Sequence, residues 1–123
     1  MTKIEMRAAE ATEYDAVQAV FGGAMMFDSK PDDLRRQMFE PARALVATDG
    51  GDIVGTTRAL TRDLSVPGAV VPAAHVTGVG VRATHRRRGV MSGLIGRQLR
   101  EVPEAIAVLW ASEPAIYGRF GYG

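Results

Sequence analysis

The feature that most restricts the fold is the order strand, helix, strand between Ala74 and Ala111. "AHVTGVGV", Ala74 to Val81, has the composition of a strand. Val90, Leu94, Ile95 and Leu99 then recur at helical spacing, and Pro103 stops that helix. "AIAVLWA", Ala105 to Ala111, is a continuous apolar run and reads as a second, buried strand with Trp110 in the core. Strands joined through a helix in this way lie parallel, with a right-handed crossover. An α/β domain with at least one parallel strand pair follows.

The remaining segments fit around that unit. Lys3 to Arg7 alternates polar and apolar residues and predicts a short strand. Thr12 is placed to cap a helix carrying Val17, Val20, Phe21 and Ala24, which Gly22-Gly23 weakens near its end. Phe27 to Lys30 reads as a loop, and Pro31 starts a second helix reaching about Met38, ended by Pro41. "ALVAT", the "DGGD" turn and "IVGTTRALTRDLSV" predict a β-hairpin. "PGAVVP" interrupts before the Ala74 strand, and "SEPAIYGRFGYG" starts a last helix with Ser112 as its cap. The predicted order is β-α-α-β-β-β-α-β-α, as one domain over residues 1–123.

Composition narrows the function. With 46% apolar residues and a formal net charge of +1, this is an ordinary globular chain, not one built to coat nucleic acid. The absence of cysteine excludes disulfides and thiolate chemistry and fits a cytoplasmic protein. The N-terminus has no apolar stretch of signal-peptide type, and no run reaches membrane-spanning length. His75 and His85 stand in no metal-ligand spacing, so no metal is expected.

The basic charge is local. Arg82, Arg86, Arg87, Arg88, Arg97 and Arg100 follow one another with no acid between them. The triplet sits where a strand ends and a helix begins, and Gly89 follows it directly. Unpaired amides in a first helical turn, the helix dipole and nearby guanidiniums together suit a phosphate or diphosphate. A single-strand nucleic-acid reader would interleave aromatic residues, and none occurs from Arg82 to Arg100.

"VGVRATHRRRGVMSGLI" resembles the acetyl-CoA-binding motif of GNAT N-acetyltransferases, with Met91 where a small residue is usual. Together with "VPGAVVPAAHVTGVGV" and "LWASEPAIYGRFGYG" it resembles the Eis (enhanced intracellular survival) branch of that family. The resemblance implies a GNAT fold, a mixed sheet whose parallel pair splays apart to admit coenzyme A. It implies acetyl transfer from acetyl-CoA, without metal, to a primary amine such as an aminoglycoside or a lysine side chain. The alternative is a catalytically inactive remnant that holds CoA or another anion. Val79, Gly80 and Val81 would hold the pantetheine arm; Arg87, Arg88, Gly89, Val90, Met91 and Ser92 would wrap the diphosphate. Ser112 and Glu113 would line the wall near the thiol, and Tyr117 would be the general acid. Phe27 and Asp28 are candidates for holding the acceptor. Family members form hexamers, so a homo-oligomer is expected, with no membrane or nucleic-acid partner.

Each of these residues also has a structural role open to it. Tyr117 could pack, as Tyr14 and Tyr122 are expected to; Ser112 could only cap; Glu113 could only favour a helix dipole; Asp28 could be a solvated loop acid. The chain also departs from the branch. Members are longer, so this is expected to be an incomplete, C-terminally truncated domain. The base that the family draws from its distant C-terminal carboxylate has no match in Gly123. The span from Gly89 to Ser112 is short for the family, with an abrupt turn at Pro103-Glu104, so either a clipped helix or missing residues are expected there.

Overall fold

β2 (Ala44–Asp49) fixes the layering, because it is buried on both faces. Ala44 and Val46 point into a cluster with Val17 and Val20 of α1 (Tyr14–Ala24). Leu45 and Ala47 point the other way, into a cluster with Val90 and Leu94 of α3 (Val90–Glu101). An alternating strand would have shown one polar face; "ALVAT" is apolar throughout because a helix covers each side of it. The computed structural model describes residues 3–26 and 33–123.

Around β2 the described residues form a five-stranded sheet in the order β1-β2-β3-β4-β5. β1 (Ile4–Ala8), β2, β3 (Asp52–Val66) and β4 (Ala69–Val81) are antiparallel neighbours, and β5 (Ala107–Leu109) runs parallel to β4. A short α2 (Asp33–Gln37) precedes β2. The expected hairpin and the parallel β-α-β unit are both present, and the sheet is mixed, as the resemblance implied.

Several expectations are corrected. Thr12 is not a helix cap but lies inside a 3-10 turn, Ala11–Glu13, entered at Glu10. The Glu10 amide donates to Glu13 Oε1 at 2.8 Å, and Arg7 grips the same carboxylate at 2.7 and 2.9 Å. "PGAVVP" interrupts nothing beyond a two-residue turn, since β4 already starts at Ala69. Pro72 is tolerated in the strand because β5 pairs with β4 only from Ala74 to Val76, so among the described residues no neighbour needs the missing N–H.

"AIAVLWA" supplies only the three residues of β5, all half-buried, and Trp110 is 99% exposed rather than core. β5 is an edge strand of the described sheet, so its apolar run has a neighbour on one side only. Within the Gly89–Ser112 span the helix runs over twelve residues to Glu101, and the strand after it is the short element, with three. The turn at Pro103-Glu104 is held by Arg43, whose guanidinium donates to both Glu104 oxygens at 2.9 and 2.7 Å. The last helix expected from Ser112 is two 3-10 turns, Pro114–Ile116 and Gly118–Phe120; Glu113, not Ser112, stands at the entry of the first. The helix start at Pro31 lies outside the described residues.

Candidate active site

β4 leaves regular pairing at one place. Against β3, Arg58 faces Thr77 while Thr56 faces Gly80, so two steps on β3 span three on β4. The extra residue is a β-bulge, which bends and twists its strand. Gly78 makes it possible with φ +63°. A side chain there would also meet the Arg58 guanidinium, which lies over Gly78 and donates to Gln18 Oε1 at 3.1 Å. Pairing with β5 ends just before the bulge, at Val76 opposite Leu109. Among the described residues, Thr77 to Val81 run on with no strand paired on that edge of the sheet. The two parallel strands therefore part, as the expected splay required.

A cavity of about 780 Å³ opens at this divergence. Val79, Gly80 and Val81 line it together with Arg86, Arg87 and Gly89 of the arginine loop, the start of α3, and Ser112, Glu113 and Tyr117. The sequence places Gly89 as the residue before α3, and the structure gives it φ +77° with no side-chain cap bond. The first bond of the helix runs from Gly93 N–H to Gly89 O, at 3.0 Å. The amides of Val90, Met91 and Ser92 thus stand at the positive end of the helix dipole without partners from the helix. Arg87 is held at φ +60°, an unusual setting for a residue with a side chain. Among the described residues, no acid pairs with Arg86, Arg87 or Arg88.

Tyr117 is half-buried, and its phenol is pushed up from its ordinary value, first by burial and then by the charge of Glu113. A phenol so shifted keeps its proton at neutral pH and can donate it. Its ring meets that of Tyr122 edge-on, with centroids 6.0 Å apart. Tyr14 packs edge-on against Phe39 at 5.3 Å, away from the cavity.

Eleven of the residues singled out in the sequence share this cavity: Val79, Gly80, Val81, Arg87, Gly89, Val90, Met91, Ser92, Ser112, Glu113 and Tyr117. Arg88 does not line it. Phe27 and Asp28 lie outside the described residues. Sequence reasoning named Arg86 only as part of the arginine triplet, and it missed Ala24 and Met25 at the end of α1, together with His85, Ile116 and Arg119. Arg86 and Arg119 stood inside the quoted motifs, so their neighbours were a usable signal. Ala24 gave none; it arrives because Gly80 lets α1 approach β4, a Cβ there falling 3.0 Å from that of Ala24.

Comparison with known proteins follows the same outline. A family described as "Acetyltransferase (GNAT) domain" matches residues 5–123. An "Uncharacterized N-acetyltransferase" of Streptomyces avermitilis is 47% identical over 114 residues, covering 89% of this chain and 28% of that protein. "N-acetyltransferase Eis" of Mycobacterium tuberculosis is 40% identical over 96 residues, covering 66% of this chain and 24% of its own length. The crystal structure of Eis1 from Mycobacterium abscessus superposes with a TM-score of 0.88 at 37% identity, covering 98% of this chain and 31% of that one. The chain thus spans about a quarter to a third of the length of these relatives.

Proposed function

Since this chain belongs to the acetyltransferase (GNAT) family, we propose that it transfers the acetyl group of acetyl-CoA to a primary amine, of an aminoglycoside or a lysine side chain. The observation that carries this reading is the convergence, on one cavity, of the first-turn amides of α3, the edge of β4 beyond its pairing with β5 and the Tyr117 phenol. The diphosphate would sit on the amides of Val90, Met91 and Ser92 with the Arg87 guanidinium beside it. The pantetheine arm, with its own amide groups, suits the open edge from Val79 to Val81. The neutral amine attacks the thioester carbonyl, an N–C bond forms, and an amide N–H of that edge stabilises the oxyanion. Collapse breaks the C–S bond. Tyr117 gives its proton to the departing thiolate, and the proton lost by the amine nitrogen passes to water.

In this reading the protein works as a homo-oligomer in the cytoplasm, the setting the resemblance implies. Among the described residues no helix is long and apolar enough to cross a membrane.

The test is release of free CoA thiol from acetyl-CoA by the full-length protein, over a panel of aminoglycosides, polyamines and lysine peptides. Release dependent on one amine class supports the proposal. In Tyr117→Phe, turnover falls by about 10²-fold, the usual share of general acid catalysis, while acetyl-CoA affinity stays within twofold on the order of the scatter of such measurements. Equal turnover of variant and parent removes the acid role. Calorimetric binding of CoA without thiol release from any acceptor would favour an inactive CoA-holding remnant.

A further inference from the structure

Tyr117 is met by a residue of its own segment. Gly121 stands at φ +96° and reverses the chain after the 3-10 turn Gly118–Phe120. Its amide donates to Gly118 O at 3.0 Å, and the Tyr122 amide donates to Tyr117 O at 3.4 Å. That pair of bonds is a Schellman closure, in which a left-handed residue folds the next one back over the residue five before it. The two residues so joined are Tyr122 and Tyr117. Their rings meet edge-on, with centroids 6.0 Å apart and planes at 80°.

The contact bears on the chemistry. Among the described residues the Tyr117 hydroxyl makes no hydrogen bond, so packing on the ring sets where its oxygen points. An edge-to-face pair holds a ring at a preferred angle, because the positive edge of one ring meets the negative face of the other. Tyr122 does not line the cavity, so it stands away from the reacting atoms. Its own hydroxyl is buried without a partner among the described residues. What Tyr122 gives to Tyr117 is therefore its ring and not its oxygen.

We infer that Tyr122, brought back by the reversal at Gly121, is a positioning residue that aims the Tyr117 phenol at the departing sulfur. This rests on the reading of Tyr117 as the general acid.

The experiment measures kcat and KM for acetyl-CoA by thiol release in the full-length protein and its variants, with the amine of the panel above that reacts fastest. Thermal melting establishes that each variant is folded. Tyr122→Leu lowers kcat about tenfold, inside the ~100-fold that a small misplacement can cost. KM for acetyl-CoA stays within about twofold, the pattern of an interaction that serves the transition state alone. Tyr122→Phe keeps the ring and recovers most of the lost rate, to within about threefold of the parent. Gly121→Ala, strained at positive φ, disturbs the same contact from the backbone and also lowers kcat, while Gly121→Asn loses less. A merely structural role would slow every background alike. A positioning role needs Tyr117, so Tyr122→Leu slows Tyr117→Phe by less than about twofold. Given a slow Tyr117→Phe, three results overturn the inference and leave the acid reading standing. The first is parental turnover in folded Tyr122→Leu, or in Gly121→Ala where Tyr122→Leu does not fold. The second is a Tyr122→Phe as slow as Tyr122→Leu. The third is a Tyr122→Leu effect that persists in full on top of Tyr117→Phe. If no amine supports release, or if Tyr117→Phe turns over like the parent, both readings fall.

Discussion

Gly55 on β3 lies beneath the first turn of α3, and replacing it with alanine tests whether that packing sets the geometry of the cavity. A Cβ at Gly55 would lie 2.7 Å from Val90 Cγ1 and 3.1 Å from Leu94 Cδ1. Carbon atoms in contact prefer ~3.5–4.0 Å, so Val90 has to recede by about 1 Å. It has nowhere to turn, being 3% exposed beside Leu94 at 1%, and a β-branched side chain in a helix keeps essentially one rotamer. The start of α3 must therefore lift from the sheet. Overpacking of this kind costs about 1–3 kcal/mol, measured as a lower urea midpoint at unchanged slope. Because Val90 also supplies one of the first-turn amides, the same shift moves the proposed diphosphate cradle. An error of about 1 Å in positioned groups can cost as much as ~100-fold, so CoA affinity should drop by about tenfold or more. Val90→Ala restores the room. Alone it costs about 2 kcal/mol as a cavity, but combined with Gly55→Ala the sum should fall short of additivity by about 1 kcal/mol or more. Strict additivity, or a Gly55→Ala protein as stable and as tight as the parent, would refute the reasoning.

Two further outcomes concern stability. Gly78→Ala should cost more than Gly68→Ala in urea unfolding, by about 1–3 kcal/mol. Both sit at positive φ, +63° and +79°, but only at Gly78 does the new methyl displace a guanidinium, that of Arg58; Gly68 has nothing within 4 Å. Equal costs would show that the Arg58 contact carries no weight. Glu13 is held well below its ordinary 4.5, at about 2, chiefly by the Arg7 hydrogen bonds and next by the Glu10 amide. A depressed carboxylate stabilises the fold above its unfolded value and loses that contribution as pH falls toward 2. Glu13→Gln should therefore be less stable at pH 7 by about 1 kcal/mol, modest because the Arg7 side chain is 43% exposed and screened by water. Parent and variant should converge near pH 2, and a gap that persists in acid would contradict the assignment.

The parts of the fold legible in the sequence are those written in local pattern. Asp49-Gly50-Gly51-Asp52 marked a hairpin, and the Val90, Leu94, Ile95 stripe marked a helix, because each signal lies within a few residues. What failed depended on neighbours distant in the chain. Pro72 looked like a breaker, yet it is harmless where β5 does not reach. Trp110 looked like core, yet it belongs to an edge whose outer side is open among the described residues. The cavity was legible from its glycines and arginines, but the approach of Ala24 was not, since it follows from how α1 settles on Gly80. Likewise the strand-to-helix loop was visible and the bond from its His85 to Asp49 was not, since Asp49 lies 36 positions earlier.

The parting of β4 from β5 leaves amide and carbonyl groups that, in a closed sheet, another strand would consume. Any occupant supplying peptide-like groups along Val79 to Val81 would complete the ladder as a strand does, without being protein. Its binding energy then becomes part of what holds the two halves of the domain together. At a concentration of 100 times its dissociation constant, such a guest would add about 2.7 kcal/mol against unfolding.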